Sequence, residues 1–161
     1  MSETPLPTAK EIRDVFEGLL GRTVEVETDY EIIDPHAEFG ACTALFVDGL
    51  QRMYAIAVMD LDLAAYVGAA LALLPPGAAQ DAINEGNIGD HIIENVYEVL
   101  NVLSSLFNKP GAPHLSIYLM YTPGEKLPPD VHETATSYVE RRDSILDIEG
   151  YGKGRLGILV L

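Results

Sequence analysis

Between His91 and Lys109 the sequence reads HIIENVYEVLNVLSSLFNK, and in it Glu94, Glu98, Asn101 and Ser105 recur every three or four residues. On a helix that spacing puts two carboxylates, a carboxamide and a hydroxyl in one row. No lysine or arginine interrupts the row. Glu94 and Glu98 are like charges four residues apart, which costs about 0.2–0.5 kcal/mol where a glutamate–lysine pair would gain as much. A helix that needs only solubility usually mixes signs. On spacing alone the row therefore reads either as a solvated face or as a site with a task.

The chemistry open to such a row is narrow. Two glutamates and an asparagine offer oxygen ligands, but along a line rather than around an ion, so a partner would have to complete a metal's shell. Carboxylates that cleave glycosidic bonds must face each other across a substrate, and one convex face cannot arrange that. What remains is a helix inserted into another protein's active site. There a carboxylate can grip a cation, and a carboxamide can hold a water by donating and accepting hydrogen bonds.

The elements around the row must bury its other side. Ile92, Val96, Val99, Leu100, Leu103 and Phe107 share one helical face, which must be the core face, opposite Asp90, Glu94, Glu98, Asn101, Ser105 and Asn108. The spacing predicts a long helix from Asp81 or Ile88 to Asn108. Upstream, TAKEIRDVFEGLLG predicts a first helix, with Thr8 and Glu11 as a capping box and Gly21 as its stop. TVEVETDYEII alternates like a half-buried strand. ACTALFVDG and RMYAIAVMD flank the Asp48-Gly49 turn and predict an antiparallel hairpin. DLDLAAYVGAALALLPP reads as a helix capped by Asp60 or Asp62 and ended by Pro75 and Pro76, with a loop after it. HLSIYLMYT is a predicted strand holding Tyr118 and Tyr121, PGEKLPPDV a loop, and ATSYVERRD, SILDIEG and RLGILVL two or three further strands. The GYGKG stretch lacks the serine or threonine and the helix that a phosphate loop needs, so it reads as a hairpin turn. The order implies an α+β fold, a mostly antiparallel sheet packed against helices, in one domain spanning residues 1–161 without an evident internal repeat.

Composition narrows the function classes. Ten basic against twenty-five acidic residues give a formal net charge of −15. Nucleic acid needs a basic footprint, and anionic membrane surfaces repel such a chain. The longest apolar segment, LAAYVGAALALL, is too short to cross a bilayer. MSETPLPTAKE has neither a basic start nor an apolar run, so no signal peptide is expected. The single cysteine, Cys42, rules out an internal disulfide and fits a reducing cytoplasm; its apolar strand context makes it a packed core thiol rather than a nucleophile. None of His36, His91, His114 and His132 has metal-ligand spacing to another. They read as surface or loop residues, with His91 flanking the acidic row.

The ExxN pattern, Glu98 to Asn101 on the long helix, resembles the CheC/CheX/FliY group of chemotaxis phosphatases, and the chain closely resembles the CheX branch. The likeness extends to element order over most of the chain: a first helix, three strands, a helix ending in a polar loop, the ExxN helix, then strands to the C-terminus. The resemblance implies dephosphorylation of the phospho-aspartate of a CheY-like response-regulator receiver domain. It implies that Glu98 pairs with the receiver's catalytic lysine and that Asn101 orients the attacking water, with Glu94, Asn95 and Ser105 as further partner contacts and Lys126 as a docking candidate. The Mg²⁺ belongs to the receiver, so no cofactor of the chain's own is expected. The rival reading is the same fold as a non-catalytic interaction module in two-component signalling, and a weaker one is an acidic adaptor. The resemblance also implies a homodimer through a terminal strand. The chain departs from the family pattern at Glu94, where relatives often have aspartate or serine, and at Val102, where small residues follow the asparagine. One ExxN is present where many relatives have two.

Overall fold

The computed structural model describes residues 4–161; the first three residues of the polar leader lie outside the described residues. Helix α1 (Ala9–Leu20) opens on Thr8. The Thr8 hydroxyl accepts from the Glu11 N–H at 3.1 Å, and the Glu11 carboxylate accepts from the Thr8 N–H at 3.1 Å, the expected reciprocal box. Gly21 ends the helix at φ 65°, a left-handed conformation that suits a residue without Cβ. The chain continues through β1 (Val24–Thr28), the hairpin of β2 (Ala41–Val47) and β3 (Met53–Asp60), α2 (Leu61–Leu71), α3 (Pro76–Glu85) and α4 (Gly89–Leu103). A 3-10 turn (Ser104–Leu106), β4 (Ser116–Tyr121), α5 (Pro129–Ala135), β5 (Arg141–Ile148) and β6 (Gly152–Val160) complete it.

Six strands form one sheet in the order β1-β5-β6-β3-β2-β4, and every neighbouring pair is antiparallel. Helices α1 to α4 bury their apolar sides on one face of the sheet, in a core that includes Phe16, Phe46, Leu63, Leu100 and Phe107. A smaller cluster on the other face joins Ile33, Leu45, Ile56, Leu127, Val131 and Leu159 beneath α5 and the 29–40 loop. The α+β class with helices on an antiparallel sheet is therefore as the sequence implies.

The strand order has a symmetry that the residues do not display. Exchange β1, β2 and β3 for β4, β5 and β6, and the order reads the same from the other end. Each half is a helix, a strand, an excursion and a hairpin, so α1 and α4 are counterparts. The two excursions meet over the second face. The His36 and His132 rings stack at 3.9 Å, His132 Nε2 lies 2.7 Å from Asp34 Oδ1, and the Leu127 N–H donates to His36 Nε2 at 2.9 Å.

Several boundaries differ from the sequence expectation. Of the two expected starts of the long helix, the one at Ile88 holds, since Ile88 is the N-cap of α4, while Asp81 belongs to the separate helix α3. Gly86 turns left-handed at φ 68° and closes α3, and Gly89, also left-handed, starts α4 with its N–H donating to Asn87 Oδ1 at 3.0 Å. The far end stops at Leu103 and tightens into the 3-10 turn instead of running to Asn108. The loop expected after α2 is α3, because Pro76 fills the first helical position, where a missing N–H costs nothing. The same device at Pro129 starts α5 inside the segments read as a loop and a strand, so β5 begins only at Arg141. Strand β1 ends at Thr28 rather than Ile33. Beyond it the Arg155 guanidinium holds the chain in a loop, bonding the Asp29 carboxylate at 2.6 Å and the Glu31 carbonyl at 2.9 Å.

Candidate functional site

Helix α4 is fixed from behind before its outer face is available to anything. Ile92, Val96, Val99, Leu100 and Leu103 are buried, as their spacing predicts, and Phe107 is buried just beyond the helix. Gly68 of α2 sets how closely the two helices approach. A Cβ at that position would stand 2.5 Å from Ile92 Cγ2 and 2.8 Å from the Ile92 carbonyl oxygen. The outer face is thus the front of a rod whose depth and rotation are set by packing.

On that front Glu94, Glu98 and Ser105 are exposed and Asn101 is half-buried. Glu98 and Asn101 are one turn apart, with a rise of about 4.5 Å between their Cα atoms along the axis. Neither side chain has a hydrogen-bond or ion-pair partner among the described residues. The Asn101 backbone carbonyl is used, accepting from Ser104 Oγ at 2.7 Å, which leaves the carboxamide free to act. Asn95 is placed differently: its Nδ2 donates to the His91 carbonyl at 2.9 Å, one turn back along the same helix. Asn108 leaves the row altogether and bridges to Leu115, accepting from its N–H at 2.8 Å and donating to its carbonyl at 3.1 Å. Ser105 sits on the 3-10 turn, whose three-residue period takes it out of strict α-helical phase. Val102 is half-buried and Lys126 is exposed on the loop after β4.

Among the described residues no base neutralises this face. Lys109, the first cation downstream, is ion-paired with Glu11 of α1, and that contact, followed by the Thr8 backbone hydrogen bond, holds the Glu11 carboxyl below its ordinary value. The counterpart helix behaves otherwise: on α1, Asp14 is paired with Lys10 at 2.8 Å and lies 3.5 Å from Arg13. Among the described residues no cluster of three or more histidine, cysteine, aspartate or glutamate side chains could hold a metal ion. Cys42 is fully buried, and burial pushes its thiol up to about 12, which removes it as a nucleophile at neutral pH.

Beside the row lies a groove of about 500 Å³ between α4 and β4, lined by Ile93, Glu94, Tyr97, Tyr118, Met120 and Thr122 among others. Sequence reasoning placed Tyr118 in a strand, correctly, but did not bring it to the helix. The signal for Tyr97 was present: an aromatic ring between two glutamates on the wet side of an amphipathic helix. For Tyr118 there was none, because a bulge sets its direction. Phe46 pairs with Ile117 and Leu45 with Leu119, leaving Tyr118 as the extra residue of β4.

No family model and no curated protein sequence matches the chain. Solved structures do resemble its fold. The FliM–SpeE complex from H. pylori matches with a TM-score of 0.59 at 10% identity, over 94% of this chain and 80% of that one. The FliM middle domain from Vibrio alginolyticus matches with a TM-score of 0.58 at 10% identity, over 94% and 88%. Thermotoga maritima FliY matches with a TM-score of 0.51 at 11% identity, over 92% and 81%. At these identities the likeness establishes the fold, which is that of the FliM middle domain and FliY. Among the described residues no helix is long and apolar enough to cross a membrane.

Proposed function

We propose that this chain acts on the phospho-aspartate of a response-regulator receiver domain, in signalling of the chemotaxis or flagellar kind. The observation that carries the reading is the pair Glu98 and Asn101: a carboxylate and a carboxamide one turn apart, both without partners among the described residues, on a helix anchored from behind. The fold shared with FliY supports it. Glu98 grips the receiver's lysine and fixes the docking. Asn101 holds a water by accepting from one of its protons or donating to its oxygen. The water oxygen bonds to phosphorus as the bond to the aspartyl oxygen breaks, releasing inorganic phosphate and the free carboxylate. The nucleophilic aspartate and the Mg²⁺ are the receiver's. This chain supplies position, the main resource in phosphoryl transfer.

The test follows loss of phosphate from a phosphorylated CheY-like receiver with and without the protein. The wild-type chain is expected to accelerate decay. Asn101→Ala should remove the acceleration by about tenfold or more while leaving binding intact, as expected when water positioning is lost. Glu98→Ala should weaken binding itself. A second reading is favoured by the higher similarity to FliM, one example of which is in complex with another protein, SpeE. In it the same face docks a signalling partner without chemistry. Binding with unchanged phosphate decay selects that reading, and absence of binding to any receiver overturns the first.

A further inference from the structure

The α4–β4 groove adds a second kind of contact to the Glu98–Asn101 row, and its chemistry names what fits. Tyr97 and Tyr118 are 40% and 51% exposed, two rings turned to water across a channel floored by Ile93 and Met120. The bulge that frees Tyr118 lies on β4, one of the sheet's two edge strands. Bulges at an edge re-aim a side chain and discourage addition of another strand, so the occupant is a side chain rather than a strand. Thr122 on the rim is already engaged, its hydroxyl donating to Glu125 Oε1 at 2.6 Å. Among the described residues Glu94 is the only charged one lining the groove, and no lysine or arginine lines it. The negative rim continues along α4 through Asp90 and Glu98. A smaller recess of about 170 Å³, bordered by Asp90 and Asn87, shares Ile93 and Thr122 with the groove.

We infer that this groove seats an apolar or aromatic side chain flanked by a cation, a Lys or Arg beside a large apolar residue, on the protein that docks against α4. Aromatic rings favour both an apolar neighbour and a cation over their faces, and Glu94 supplies the opposite charge. The inference rests on α4 being a docking helix, but it concerns affinity and choice of partner, not hydrolysis. A receiver assay that fails while the groove binds its probe overturns only the proposed function.

The experiment titrates the ¹⁵N-labelled chain with phenethylamine, 2-phenylethanol and phenylacetate, which share a ring and differ in charge. Saturable amide shifts are expected for residues of 93–97 and 118–122. The affinity should fall from the amine to the alcohol to the acid. Glu94→Gln should bring the amine down to the level of the alcohol, by about fivefold at most for an exposed ion pair. Tyr118→Ala and, separately, Tyr97→Ala should weaken all three, with the rest of the spectrum unchanged as the control for folding. Shifts located elsewhere, equal binding of phenylacetate and phenethylamine, no saturable shift, or binding indifferent to both tyrosine variants would each overturn the inference.

Discussion

Asp60 shows how one side chain can join elements and carry a cost in the same place. Its Oδ1 accepts from the Leu63 N–H at 2.9 Å and from the Arg155 N–H at 3.1 Å, so it caps α2 and ties it to β6. Burial pushes its carboxyl above the ordinary range, outweighing those hydrogen bonds. A raised carboxylate pKa means that the folded chain holds the proton more tightly than the unfolded one. The contribution to stability therefore declines as pH rises from about 3.9, the unfolded value, through the folded value. Asn at this position keeps an acceptor for both N–H groups and removes the charge. Asp60→Asn is expected to melt no lower than wild type at pH 7, with any advantage shrinking toward pH 4. Asp60→Ala should lose about 1 kcal/mol with the cap. Thermal melts at the two pH values check both. Asp34 has the opposite sign: the His132 contact and then the His36 N–H hold its carboxyl low, so its share of stability is present at neutral pH and is lost on strong acidification.

At the scale of elements, glycine sets the distances. Gly68 lets α2 approach α4, and Gly154 of β6 lets α2 lie on the sheet, since a Cβ there would stand 2.4 Å from Leu63 Cβ. Gly68→Ala must push Ile92 away or distort α2, a case of overpacking that typically costs about 1–3 kcal/mol. A lowered melting temperature is expected, and an unchanged one would show that α4 is less firmly held than its contacts suggest. The two Pro-Pro pairs make a different point about elements. Proline stops the helix before it, but at the first helical position it starts the next one. Pro76 and Pro129 do so here, and reading the first pair only as a terminator and the second only as loop hid α3 and α5.

Over the whole molecule, charge has the widest reach. A formal net charge of −15 on 161 residues makes the compact state repel itself. Salt screens that repulsion over a Debye length of about 10 Å at 0.1 M. Raising NaCl from about 0.01 to 0.2 M should therefore raise the melting temperature, and a fall would mean that ion pairs such as Arg141–Asp143, 2.7 Å apart, outweigh the net repulsion. The two-fold strand order is not matched by the charge distribution. Of two counterpart helices, α1 pairs Asp14 with Lys10, while α4 leaves Glu94 and Glu98 without a base among the described residues.

The capping box of α1, the Asp48-Gly49 hairpin, the buried stripe of α4 and the outward placement of Glu98 and Asn101 were all legible in the sequence, because each depends on residues at most a few positions apart. The same holds for the turn at GYGKG, which is the β5–β6 hairpin. Contacts between distant segments were not legible. No local pattern announces that β4 spends two residues opposite Phe46, and that count is what brings Tyr118 beside Tyr97. Nor does any pattern announce the stacking of His36 on His132, ninety-six positions apart in the chain by their numbers, or the two-fold strand order behind it. Periodicity assigns a residue to a face, while the register of strands from separate halves decides which faces meet. The sequence thus determined what α4 presents, and the tertiary structure decided what stands beside it.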